Sequence, residues 1–136
     1  MLLTDKRIPP AELAKTGERY LEAGFPNVAA MFFERAQSKD GLARLKKLAL
    51  DDGDEFILTA VARADASMVQ EADWRTCAAA ALARGRLAFA RDAYRKAGDQ
   101  EQATAAETEL NQAIASAVPR SPVPGPQSPK DAPPSA

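Results

Sequence analysis

With 136 residues, 46% of them apolar but only 6% aromatic, and a formal net charge of −1, the chain fits one domain and lacks the cationic excess of a nucleic-acid surface. The absence of histidine and the single cysteine, Cys77, exclude an internal disulfide, the Ser-His and Cys-His nucleophile pairs and every histidine-containing metal site. No run approaches the ~20 apolar residues of a membrane span, and the start, Met1-Leu2-Leu3-Thr4-Asp5-Lys6-Arg7, is too short and too charged for a signal-peptide core, so a cytoplasmic setting with no membrane partner is expected.

Helical spacing governs the chain up to about Val118. Pro9-Pro10 opens a first helix, where the missing N–H of proline costs nothing. Leu13, Gly17, Tyr20 and Leu21 share one face of it. Gly24 closes it and Pro26 opens the second, whose stripe is Val28, Ala29, Phe32, Phe33 and Ala36. So short a break permits only an antiparallel hairpin. A third helix is expected from Leu42 to about Leu50, with Leu42, Leu45, Ala49 and Leu50 inward, ended by Asp51-Asp52-Gly53-Asp54. Asp54 caps a fourth that carries Phe56, Ile57, Ala60, Val61 and Ala64.

Ser67-x-x-Gln70 reads as the capping box of a fifth helix bearing Trp74, Cys77, Ala78, Ala81 and Leu82. That helix ends at Gly85. The sixth carries Leu87, Ala90, Ala93, Tyr94 and Ala97 and ends at Gly98. Asp99-x-x-Gln102 caps a seventh, with Ala103, Ala106, Leu110, Ala113, Ile114 and Ala117 on one side and mostly polar residues on the other. One polar face is what the last helix of a hairpin array needs. From Pro119 onward 7 of 18 residues are proline, a composition that builds no core and reads as a disordered tail of polyproline II character. The expected organisation is a helical domain over residues 1–118 and a tail over 119–136.

One pattern recurs. Gly17-x-x-Tyr20-x-x-x-Gly24-x4-Ala29-x3-Phe33-x-x-Ala36 returns 61 residues later as Ala78-x-x-Ala81-x-x-x-Gly85-x4-Ala90-x3-Tyr94-x-x-Ala97, without a gap. Fixed spacing of this kind marks one structural unit used more than once, which builds a surface more readily than a reaction centre. Small residues let helices approach; Tyr20, Phe33, Trp74 and Tyr94 are expected to fill the gaps.

These residues resemble the tetratricopeptide repeat, a 34-residue helix–turn–helix unit. Gly17, Tyr20, Gly24, Ala29, Phe33 and Ala36 match its first-helix Gly and Tyr, its turn, and its second-helix Ala, aromatic and Ala. Trp74, Ala90, Tyr94 and Ala97 match again in the later hairpin. The turn glycines 24, 53 and 85 lie 29 and 32 residues apart, shorter than the family's period. The resemblance covers residues 10–98 and implies a short α-solenoid of three hairpins plus a capping helix, all-α.

It further implies a concave groove lined by the first helix of each pair, with Ala11, Ala14, Glu18, Leu21 and Glu22, then Asp40, Ala43, Lys47, Leu50 and Asp51, then Ala72, Arg75, Ala79, Leu82 and Ala83. Glu18, Leu21, Lys47, Arg75 and Leu82 are the expected partner contacts. The clamp for a peptide carboxylate used by some relatives is not expected, because its positions hold Ala14, Lys15 and Glu18. The function implied is non-catalytic protein–protein interaction, with another protein or peptide segment as partner and no cofactor or metal. Structural self-association into homo-oligomers is the alternative, drawn from the apolar Met1, Leu2, Leu3 and Ile8 before the first hairpin.

Blander readings apply to the rest. Trp74 and Cys77 fall on an apolar stripe, as core residues do. Asp51-Asp52-Gly53-Asp54-Glu55 lacks the alternating oxygen spacing of a calcium loop. Arg84, Arg86, Arg91, Arg95 and Lys96 read as a solvated face. Pro119-x-x-Pro122 and Pro126-x-x-Pro129 read as tail rather than ligand.

Overall fold

The computed structural model describes residues 8–117; the proline-rich segment read as disordered lies outside them. The described residues are all-α, with no strand: α1 (Pro10–Glu22), α2 (Pro26–Ala36), α3 (Lys39–Asp52), α4 (Glu55–Ala64), a 3₁₀ turn (Ala66–Met68), α5 (Glu71–Ala83), α6 (Leu87–Lys96) and α7 (Gln100–Ala117).

Local chemistry sets most boundaries. Pro10 and Pro26 occupy the first turns of α1 and α2. Asp54 Oδ1 accepts the Ile57 N–H at 3.1 Å and starts α4; Asp99 does the same for Gln102 at 3.1 Å and starts α7. The expected corner glycines, 24, 53, 85 and 98, all have positive φ. At Gly53 the demand is double. Its φ is +69°, and a Cβ there would lie 2.3 Å from the Ala81 backbone N, so the α3–α4 turn is wedged against α5.

Helices adjacent in sequence pair as antiparallel hairpins, α1 with α2, α3 with α4 and α5 with α6, and α7 lies on α6. Across pairs, α1 touches α3 and α3 touches α5, while α2 touches α4 and α4 touches α6. The central core joins Ala29, Phe33, Leu42, Leu45, Ala49, Ile57, Leu58, Val61 and Cys77. A second cluster, Ala78, Ala81, Ala90, Ala93, Tyr94, Ala103 and Ala106, is alanine apart from one ring. Trp74 packs against both. A third, smaller cluster holds Leu13, Phe32 and Ala36. Phe33 is fully buried in a slot between Gly17 and Gly41, where a Cβ on either would come within 2.7 and 2.3 Å of its ring.

Several expectations are corrected. α3 starts at Lys39, earlier than Leu42, because Ser38 Oγ accepts the Gly41 N–H at 3.1 Å. It runs on through Asp51 and Asp52, so Gly53 alone ends it. Ser67 is not the cap of α5: Asp65 Oδ1 captures its N–H and hydroxyl at 3.1 and 2.6 Å. Gln70 is the cap instead, its N–H bound to Asp73 Oδ2 at 2.8 Å.

Tyr20 does not fill an interhelical gap. It is 39% exposed, stacked on Phe32 at 5.4 Å between centroids with Phe25 against its edge at 6.4 Å. Phe56 points outward, 65% exposed, edge-on to Phe89 at 5.5 Å, and the neighbouring Leu58 takes the buried place. Trp74 is half-buried rather than enclosed. On α7 only Ala103 and Ala106 are buried, and Ala113, Ile114 and Ala117 are exposed.

Candidate functional site

Leu21, near the end of α1, and one face of α3 define a depression of about 370 Å³ lined by Leu21, Arg44, Lys47, Leu48 and Asp51. The α3 residues recur at i, i+3, i+4 and i+7, so all four project from one face. Leu42, Leu45 and Ala49 are buried, and Gly41 is pressed against Phe33; together they fix the rotation of the helix. The floor is apolar and the rim charged. Lys47 Nζ sits 3.3 Å from Asp51 Oδ2 with both side chains more than half exposed. Arg44 reaches Glu18 only at 3.9 Å, again with both about half exposed. Such pairs contribute about 0–1 kcal/mol, so a charged ligand can exchange them at little cost.

Three of the five expected contacts meet here: Leu21 and Lys47 line the depression and Glu18 pairs with its rim. Arg75 and Leu82 do not join them. Both are exposed on α5, Leu82 at 36%, and neither lines the depression. The link from α5 to this face comes instead from Arg84, which donates to the Asp51 carbonyl at 3.3 Å and lies 3.7 Å from Asp52 Oδ1. Leu50, expected in the groove, is half-buried against the central core. Sequence reasoning missed Arg44 and Leu48. A heptad read outward from Lys47 would have found Arg44, Leu48 and Asp51 once the buried face of α3 was known.

A second polar cluster ties α4, α5 and α6 together. Glu55 is buried and bound by Lys96. Thr59 Oγ1 donates to Glu55 Oε2 at 3.0 Å and accepts from Lys96 Nζ at 2.7 Å, and the same ammonium lies 4.9 Å from the Trp74 ring centre. Removing one partner from a buried ion pair of this kind is strongly destabilising. A shallow cavity of about 290 Å³ beside it is lined by Glu55, Asp92, Arg95 and Lys96. Much of the local basic cluster is engaged internally: Arg91 with Asp92 at 3.0 Å, Arg95 with Glu107 at 2.9 Å.

Cys77 is fully buried, its Sγ–H directed at the Ala49 carbonyl at 3.7 Å. Burial pushes the thiol up to about 12, with the charges of Asp54 and Glu55 adding to the shift and Lys96 opposing it. The thiol therefore stays protonated and is a poor nucleophile near neutral pH.

Among the described residues no group of three or more His, Cys, Asp or Glu side chains is placed to hold a metal ion, and no helix is long and apolar enough to cross a membrane. No family model, no curated protein and no solved structure matches the chain.

Proposed function

We propose that this chain is a non-catalytic protein–protein interaction module: a short solenoid of tetratricopeptide-like hairpins that grips a peptide or helix along the face made by α1, α3 and α5. The observation that carries the reading is the α1–α3 depression, with Leu21 and Leu48 as floor and Arg44, Lys47 and Asp51 as rim. Support for the array comes from the repeated spacing of the two outer hairpins and from the order of contacts, first helix to first helix and second to second. An apolar floor supplies anchor energy, and loosely paired rim charges supply orientation and partner choice. A cytoplasmic setting belongs to the same proposal.

The test is selection from a displayed peptide library on the full chain, followed by binding of the selected peptides to Leu48→Lys and Lys47→Glu. Peptides that lose about tenfold or more in affinity on both variants, with unchanged circular dichroism, support the groove. Peptides held equally by wild type and both variants place the binding face elsewhere.

Self-association is the second reading. It is favoured by the apolar stripe that α7 leaves uncovered, which gives it a definite geometry.

A further inference from the structure

We infer that the α1–α3 groove takes the distal half of α7 from a second copy of this chain, an inference that rests on the groove reading above. α7 has 18 residues against 10 in α6, so it outruns the helix it lies on. Ala103 and Ala106 are seated, but every residue from Asn111 to Ala117 is exposed. Leu110, Ala113, Ile114 and Ala117 follow at i, i+3, i+4 and i+7, one continuous apolar stripe, and Ile114 is 53% exposed. This is the anchor spacing with which an amphipathic helix enters a groove.

Charge selects the groove. The acidic residues of α7 are Glu101, Glu107 and Glu109, and the helix contains no Lys or Arg. Glu107 is engaged by Arg95 at 2.9 Å; Glu109, next to Leu110, is exposed. The groove offers the complement: a Leu21–Leu48 floor beside Arg44 and Lys47, with Asp51 the one carboxylate in the lining, and the acidic partners of both cations are exposed and weakly held. Ile114 and Leu110 meet the floor while Glu109 displaces Asp51 or Glu18 from a rim cation.

The occupant is a second copy because a chain's own α7 is separated from its groove. α7 lies on α6, α6 on α5, and α5 on α3. Donor stripe and acceptor groove are different surfaces of one molecule, so the contact is heterologous, and association continues or closes into a ring. The small area implies weak, concentration-dependent assembly.

Sedimentation velocity of the full chain across a concentration series tests this with two variants. One is groove-dead, Arg44→Glu with Lys47→Glu; the other is helix-dead, Ile114→Lys. All three positions are surface-exposed, so folding is retained and circular dichroism checks it. Wild type should associate with rising concentration, less so at higher ionic strength. Each variant alone should need about tenfold or more protein to associate. Their mixture should give a one-to-one dimer and nothing larger, because one intact groove and one intact helix remain. A wild type that stays monomeric, a variant that associates as wild type does, or a mixture that fails to pair overturns the inference. The peptide selection separates the two ideas: if wild type is monomeric yet groove-dead protein loses its peptides, the groove stands and the second copy does not.

Discussion

The ring of Phe33 lies so close to Gly41 that a Cβ on residue 41 would come within 2.3 Å of the ring's Cδ1. Gly17 approaches the same Cδ1 and Cε1 atoms, so one ring from α2 lets both α1 and α3, which line the groove, come close. Gly41→Ala is expected to destabilise the fold by about 1–3 kcal/mol through overpacking, although alanine favours the helix by about 1 kcal/mol. Phe33→Leu should relieve part of that loss. In urea denaturation the double variant should therefore be more stable than the sum of the singles implies, by about 0.5–2 kcal/mol. Strict additivity would mean that the ring is free to move aside.

Gly53 and Gly24 separate backbone strain from steric exclusion. Both have positive φ, but a Cβ at Gly24 meets nothing within 4 Å, whereas at Gly53 it meets the Ala81 backbone. Gly24→Ala is expected to cost about 1–2 kcal/mol, the left-handed penalty of an L-residue. Gly53→Ala adds a clash with atoms that cannot rotate away and should cost about 2 kcal/mol more. Equal shifts in the denaturant midpoint would show that the α3–α4 turn is not wedged on α5.

The protonated thiol of Cys77 makes a pH prediction. Its folded pKa is raised to about 12, above the unfolded value of about 8.5, so the folded state holds a proton that the unfolded state releases. The contribution to stability is complete below about pH 8.5 and is lost as pH rises toward the folded value. Between roughly pH 8.5 and 10 wild type should lose up to about 1.4 kcal/mol per unit more than Cys77→Ala, read from urea midpoints. At neutral pH a thiol reagent should label Cys77 no faster than the chain opens. Rapid labelling of the native protein contradicts its burial.

The corners and most caps were legible in the sequence, because glycine, Asp54 and Asp99 act on their own few neighbours. Burial was less so. Tyr20 and Phe56 sit on stripes of correct helical period, yet periodicity does not say which neighbour covers the ends of a stripe; Leu58, off the expected face, is the buried residue in α4. The Ser67 box failed because Asp65, two residues upstream, competes for the same hydroxyl and N–H. The groove was half legible. Leu21 and Lys47 were expected, but Arg44 and Leu48 depended on the rotation of α3, and that rotation follows from the glycine at 41 admitting the Phe33 ring, a packing contact between consecutive helices that periodicity within either one does not show.

The unequal filling of the interior has a mechanical consequence. Around Phe33 the core contains Leu42, Leu45, Ile57, Leu58 and Val61; beneath α6 and α7 the buried residues are six alanines and Tyr94, with Trp74 and Phe89 at the margin. Alanines withdraw less surface from water than branched side chains do, so that end of the molecule is expected to open before the middle in hydrogen exchange. An encounter made through the last helix would then begin on the part of the scaffold with the thinnest core and would have to still it before the contact could last.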